Sequence, residues 1–251
     1  MDEDKIVVVG GYTGCGKTAW IYQQIALKEN AFPKYYQKIL YLKAGTEKVS
    51  IDQKRISIDF PKVKVFCDIQ KADFIKELES ADIAYIELGH NLGLGYLDEL
   101  LNDLPYYSVA ILPPGCKRCK WHSWAKEVLT GSAMKLSTQQ MEVLCIPTIG
   151  KVVSGDNFND FWNALISGSY GKVTRVKGIF HLEDGNIIYA DFIYGVECID
   201  FLNLNLSRYL HGEPKCFSAI EIVGCSLNKA ALKQVMQKIY VVLFDHNKYD
   251  G

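Results

Sequence analysis

The chain has 251 residues, 49% of them hydrophobic, which is enough to bury one large core or two modest ones. Its 28 Lys and Arg residues nearly balance its 29 Asp and Glu residues, and the net charge of −1 argues against a general attraction to nucleic acid or an anionic membrane. No apolar run is long enough to span a bilayer, and the acidic start MDED is unlike a secretory signal. We therefore expect a cytoplasmic protein whose eight cysteines are free or metal-bound thiols.

The first predicted strand, residues 6–9, leads directly into the sequence GYTGCGKT, which completes the phosphate-binding pattern GxxxxGK[ST]. A predicted helix, residues 17–28, follows at once, so the glycines fall at a strand-to-helix turn where backbone N–H groups can converge on an anion. Lysine supplies a charge for the β- and γ-phosphates, and the threonine hydroxyl is a ligand for Mg²⁺. The predicted nucleotide-binding residues of this loop are Gly11, Gly14, Cys15, Gly16, Lys17 and Thr18.

Strand-like and helix-like segments alternate through the first two thirds of the chain, a pattern typical of a parallel sheet with crossover helices. The predicted strands are residues 5–10, 38–43, 63–66, 82–88, 107–112 and 141–147. The predicted helices are residues 17–28, 70–80, 94–104, 121–129 and 157–167, the last with Asp156 as its N-cap. The sequence therefore predicts an α/β fold: a P-loop nucleotide-binding domain with a mostly parallel sheet, over residues 1–168.

The pattern changes after Gly168. Two β-rich runs, residues 172–182 and 186–198, flank Asp184-Gly185, which is a strong hairpin signal. A strand at residues 217–223, a helix at 228–238 and a last strand at 240–244 complete a small α+β domain, residues 169–251. Four cysteines lie inside apolar runs and are predicted to be small core residues: Cys145, Cys198, Cys216 and Cys225.

A second candidate site lies in the sequence PPGCKRCKWH, where Cys116, Cys119 and His122 recur at three-residue intervals. This spacing lets two sulfurs face one ion, so the three residues are candidate Zn²⁺ ligands, with Cys67 or an open position as the fourth. Three basic neighbours, Lys117, Arg118 and Lys120, are expected to lower the thiol pKa values. The alternative is a basic surface loop with incidental cysteines that contacts an anion or a partner.

The chain resembles the CobW-type P-loop GTPases, which include zinc metallochaperones and cobalamin-related proteins. The resemblance rests on GYTGCGKT, on RVKGIFHLEDG (residues 175–185), which is similar to the opening of the CobW C-terminal domain, and on AIEIVGCSLNKAALKQV (residues 219–235), which is similar to its end. The sequence IAYIELGH falls where the family has a strand and an ExxG motif. The resemblance therefore adds Glu87 to the nucleotide-binding residues and implies a CobW-like C-terminal domain.

Three family features are missing from this sequence. Lys43 stands near the position of an acidic residue linked to magnesium, the metal-binding CxCC motif is absent, and no guanine-reading NKxD lies between Leu112 and Ile146. His90, in the glycine-rich loop after Glu87, is either a ligand at a strand end or an ordinary loop residue. The departures predict weak base selectivity and slow hydrolysis.

The sequence leaves three functions open. The first is an accessory or chaperone protein that binds GTP or ATP with Mg²⁺, delivers a metal or cofactor to a client protein, and hydrolyses the nucleotide slowly. The second is a non-hydrolytic assembly or regulatory protein that uses the nucleotide as a ligand or switch. The third, a small-molecule kinase, needs an acceptor pocket that the sequence does not identify.

Overall fold

A computed structural model describes residues 5–31, 38–46, 50–89, 92–132, 141–195, 200–204, 206 and 216–241. The chain divides into two compact units, residues 1–134 and 135–251. The predicted boundary at residue 168 differs from this division by more than thirty residues. His90, Cys198 and the end of the predicted last strand lie outside the described residues.

The first unit contains six parallel strands in the order β3-β2-β4-β1-β5-β6. The strands are β1 (Ile6–Gly11), β2 (Ile39–Lys43), β3 (Lys64–Cys67), β4 (Ile83–Glu87), β5 (Tyr107–Leu112) and β6 (Glu127–Thr130). The helices are α1 (Lys17–Ala31), α2 (Ile51–Asp59), α3 (Lys71–Leu78), α4 (Gly95–Leu101) and α5 (Lys120–Trp124). Apolar side chains are buried on both faces of the sheet, as a parallel sheet requires, and the predicted α/β fold is confirmed.

The predicted helix over residues 121–129 is wrong in its second half. Helix α5 ends at Trp124, and the next residue, Ala125, has extended backbone angles. Residues 127–130 then form β6, which pairs in parallel with β5. Val128 and Leu129 bring the chain alongside β5, and this pairing outweighs the helical pattern of the segment.

The second unit is an antiparallel sheet in the order β11-β10-β9-β12-β7, with β8 added in parallel to β9. Its elements are β7 (Glu142–Pro147), β8 (Val152–Val153), α6 (Gly155–Ile166), β9 (Lys172–Leu182), β10 (Ile187–Ile193), β11 (Asp200–Asn203), β12 (Ala219–Cys225) and α7 (Lys229–Ile239). The predicted hairpin is confirmed, since β9 and β10 pair across Gly185, whose φ is 82°.

Two elements that the sequence analysis assigned to the first domain belong to the second unit. Strand β7 pairs antiparallel with β12 and thereby extends the sheet of the second unit. Helix α6 contributes Phe158, Phe161 and Trp162 to the core beneath the same sheet. Its N-cap is Ser154, so the prediction that Asp156 caps this helix is wrong; Asp156 lies in the first turn.

Three of the four cysteines that were predicted to be core residues lie in the described part of the chain, and they differ in burial. Cys225 is buried as predicted, whereas Cys145 and Cys216 are exposed. Cys145 lies on β7, the edge strand of its sheet, where alternate side chains face outward.

Candidate nucleotide-binding site

The glycine-rich loop occupies residues 12–16, between the end of β1 at Gly11 and the start of α1 at Lys17. Gly11, Gly14 and Gly16 have φ angles of 128°, 80° and 98°, which side chains rarely tolerate. A Cβ atom on Gly11 would also stand 2.1 Å from the carbonyl oxygen of Ile111 on the neighbouring strand. The glycines are therefore required for the conformation of the loop.

Lys17 is buried at the first position of α1, although it carries a charge. Its Nζ donates hydrogen bonds to the carbonyl oxygens of Gly11, at 3.0 Å, and Tyr12, at 3.1 Å. The ammonium group is thus held against the loop that the sequence assigns to phosphate. A phosphate oxygen is a stronger acceptor for this ammonium than a neutral carbonyl.

Two carboxylates converge on the hydroxyl of Thr18. Its Oγ1 donates to Glu87 Oε2 at 2.8 Å and lies 3.4 Å from Asp52 Oδ2. Both acidic residues are buried, Asp52 being 7% and Glu87 5% exposed. A hydroxyl and two carboxylates form an all-oxygen donor set, which is the chemistry that Mg²⁺ prefers.

Positive charge compensates the two buried carboxylates. Lys43 Nζ forms an ion pair with Asp52 Oδ2 at 2.9 Å, and the Tyr41 hydroxyl donates to Glu87 Oε2 at 2.7 Å. Burial alone would raise the pKa of Glu87, but the ammonium groups of Lys43 and Lys17 outweigh this effect, and the pKa is lowered. The pKa of Tyr41 is raised well above 10, first by burial and then by the Glu87 charge. Glu87 is therefore an anion and Tyr41 a neutral donor near pH 7.

Asp52 was not among the predicted site residues, because the hydrophobic pattern of the sequence does not indicate its helix, α2. The residues IDQKRISID have little helical hydrophobic periodicity, but Ser50 and Gln53 form a capping box that starts the helix. Gln53 also donates a hydrogen bond to the Phe66 carbonyl oxygen at 2.6 Å, which fixes α2 against β3. The spacing SxxQ, typical of a capping box, was the sequence signal that could have indicated the start of α2. Asp52 thus supplies an acidic group beside Lys43, where the sequence analysis expected none.

The segment after β6 closes over the loop. Gly131 N donates to Leu112 O at 2.7 Å, and Ser132 N donates to Cys15 O at 3.2 Å. A Cβ atom on Gly131 would stand 2.0 Å from Cys15 O. Gly131 was not among the predicted site residues, because its role depends on a contact between distant parts of the chain.

Cys116 and Cys119 lie close together in the loop after β5. Their Sγ atoms are 3.8 Å apart, and Cys119 Sγ is 3.2 Å from His122 Nδ1. Among the residues that the structure describes, however, no group of three or more His, Cys, Asp or Glu side chains is arranged to hold a metal ion. Cys67 ends β3, four strands from β5, a distance of about 19 Å across the sheet. It is therefore too far away to be the fourth ligand.

The predicted lowering of the thiol pKa values is wrong for Cys116. Burial raises the pKa of this thiol, and the adjacent Cys119 raises it further by hydrogen bonding and by its charge when ionised. The pKa of Tyr12, in the glycine-rich loop, is raised first by burial and then by the charges that Cys119 and Cys116 carry when ionised. Tyr12, Cys116 and Cys119 pack against the same apolar core, so the cysteine pair lies beside the candidate phosphate loop.

The comparisons with known proteins do not assign a family. No family model and no curated protein matches the chain. Among solved structures, it is similar to the Zn(II)-bound YjiA GTPase from E. coli, at 12% identity and a TM-score of 0.33, over 95% of this chain and 99% of that one. It is also similar to FlhF complexed with GMPPNP and Mg²⁺, at 18% identity and a TM-score of 0.33, over 47% and 48% of the two chains.

None of the described helices is long and apolar enough to cross a bilayer.

Proposed function

We propose that the first unit binds a nucleoside di- or triphosphate together with Mg²⁺ at the glycine-rich loop. One observation supports this most: the Thr18 hydroxyl meets the carboxylates of Asp52 and Glu87 directly beside Lys17. Asp52 and Glu87 give this point two negative charges, and Lys17 gives the adjacent loop a positive one. The arrangement fits a cation on one side of a phosphate and an ammonium group on the other.

Each residue has a distinct role in this proposal. The loop N–H groups and Lys17 bind the phosphates, with the ammonium exchanging its bonds to the Gly11 and Tyr12 carbonyls for phosphate oxygens. Thr18, Asp52 and Glu87 hold the metal, and Lys43 limits the repulsion between the two carboxylates. Bound Mg²⁺ would neutralise phosphate charge.

Base selectivity is expected to be weak. No NKxD tetrapeptide lies between Leu112 and Ile146, so the sequence lacks the carboxylate with which that motif accepts a bond from the guanine edge. Guanine and adenine nucleotides should bind within about a hundredfold of each other, roughly 2.7 kcal/mol, as measured by parallel titrations. A larger preference for guanine would contradict this expectation.

The experiment that tests nucleotide binding is a thermal unfolding titration with Mg²⁺ and ADP, GDP, ATP or GTP. Ligand at about a hundred times Kd adds roughly 2.7 kcal/mol, which for a chain of this size raises Tm by about 5–10 °C. Lys17→Ala should remove most of this rise, whereas Lys28→Ala, at the other end of α1, should keep it. Equal rises in both variants, or no rise in the parent, would refute the proposal.

Turnover distinguishes the two functions that use such a site. An accessory protein that cycles should release phosphate slowly, because hydrolysis depends on a positioned water and on charge stabilisation that a partner often supplies. A regulatory protein should bind the nucleotide without releasing phosphate. Delivery of a metal or cofactor to a client protein stays a prediction from the sequence.

A further inference from the structure

The loop after β5 holds two partly exposed thiols that can reach each other. Cys116 and Cys119 are separated by two residues, and their Sγ atoms, 3.8 Å apart, need to approach to about 2.05 Å to form a disulfide. Two-residue spacing is that of the Cys-x-x-Cys motifs that exchange disulfides. Such reactive pairs also occur in reducing compartments, where their disulfides are transient.

The surroundings of the pair distinguish its two members. His122 Nδ1 accepts the Cys119 N–H at 3.2 Å, so this nitrogen carries a lone pair, and it lies 3.2 Å from Cys119 Sγ. It can therefore accept the thiol proton of Cys119. Cys119 is the thiol with a base beside it, so it is suited to attack first and Cys116 to complete the exchange.

We propose that Cys116 and Cys119 form a thiol–disulfide exchange site that takes an accessible disulfide, R–S–S–R′, as its oxidant. Cys119 transfers its proton to His122, attacks one sulfur of the substrate and releases R′–S⁻, which takes up that proton. Cys116 then loses its proton to the second leaving thiolate, R–S⁻, as its sulfur displaces this group from Cys119. The two protein thiols are oxidised to one disulfide, and the substrate is reduced to two thiols.

Tyr12 connects this reaction to the phosphate loop. Its side chain packs against the same apolar core as both cysteines, and its carbonyl oxygen accepts one of the bonds that hold Lys17. Closing the disulfide draws the sulfurs together and removes the two S–H groups beside Tyr12. The oxidised protein should therefore hold the loop less firmly and bind Mg-nucleotide about fivefold more weakly, an effect that rests on the proposed function.

The first test needs no nucleotide. The reduced full-length protein is equilibrated in buffers of reduced and oxidised glutathione, quenched with acid, alkylated and analysed by peptide mass spectrometry. We expect a reversible Cys116–Cys119 disulfide, formed about tenfold more slowly in His122→Ala at pH 7. The matched control is Cys216→Ser, which removes an exposed cysteine outside the pair and should not change the rate.

Two results would overturn the exchange site. One is formation of glutathione adducts with no bond between the two cysteines. The other is a purified protein that holds one equivalent of zinc at these thiols and does not react, which would establish the metal site predicted from the sequence.

The second test measures Mg-ADP and Mg-GDP affinity for the reduced and oxidised forms. The affinity difference should disappear in Tyr12→Phe, which still forms the disulfide. Equal affinity of the two parent forms would overturn the connection through Tyr12. Absence of binding in both forms would refute the proposed function and leave the exchange reaction as its own result.

Discussion

Replacing Glu87 with Gln tests the centre of the candidate site. The substitution keeps the shape of the side chain but removes the charge that accepts hydrogen bonds from Thr18 and Tyr41. Hydrogen bonds to a charged group contribute about 1.5–3 kcal/mol and neutral ones about 1, so two weakened bonds cost about 2 kcal/mol. The loss of compensation for Lys43 and Lys17 adds to this cost. We expect the free energy of unfolding to fall by about 2–3 kcal/mol and Tm by about 5–10 °C.

The assay is thermal unfolding of Glu87→Gln without ligand, with nucleotide alone, and with nucleotide and Mg²⁺. If Glu87 holds the metal, the variant should lose most of the extra rise in Tm that Mg²⁺ produces in the parent. Glu127→Gln is the control, because this partly buried carboxylate on β6 accepts only a long bond, 3.4 Å, from Tyr107. An unchanged Tm and an unchanged response to Mg²⁺ in Glu87→Gln would refute the assignment.

The same substitution has a defined pH dependence. The folded pKa of Glu87 is lowered relative to its unfolded value of about 4.3, so its contribution is fully present above that value and is lost as pH falls through the folded pKa. The stability difference between parent and Glu87→Gln should therefore be constant from pH 6 to 7 and shrink below about pH 4. A difference that persists undiminished below the folded pKa would contradict the sign of the shift.

The remaining predictions concern Gly131, which contacts the glycine-rich loop, and the buried Tyr85. Gly131→Ala should lower the free energy of unfolding by about 2 kcal/mol or more in denaturant titrations, because its Cβ would meet Cys15 O. The control is Gly155→Ala, in open space at the start of α6, which should have little effect or stabilise the protein slightly. Burial raises the pKa of Tyr85 to about 12, so the parent should lose about 2 kcal/mol as pH rises from 10 to 12, and Tyr85→Phe should lose less. An equal loss in both proteins would show that Tyr85 is not responsible.

The sequence predicted the elements whose signals are local. The phosphate pattern located β1, the glycine-rich loop and α1, and Asp184-Gly185 located the hairpin of β9 and β10. Asp52 was missed because its helix is specified by a cap and by the bond from Gln53 to a distant carbonyl.

The contacts between distant segments were not predictable in the same way. The role of Gly131 appears only when the segment after β6 meets the glycine-rich loop. The separation of Cys67 from Cys116 depends on strand order, which the hydrophobic pattern does not specify. Local sequence signals therefore identified the elements, and long-range contacts decided which residues share a site.

The pairing of β7 with β12 has a consequence during synthesis. Every described strand of the first unit has been made by Thr130, but β7 leaves the ribosome about 70 residues before β12, its partner. At about 5–20 residues per second, β7 waits roughly 4–14 s with its backbone unpaired. Glu142 and Pro147 stand at its two ends, and a charge and a proline are the residues that discourage association of an exposed strand. These end residues should therefore discourage association of β7 with other chains while the second sheet is still incomplete.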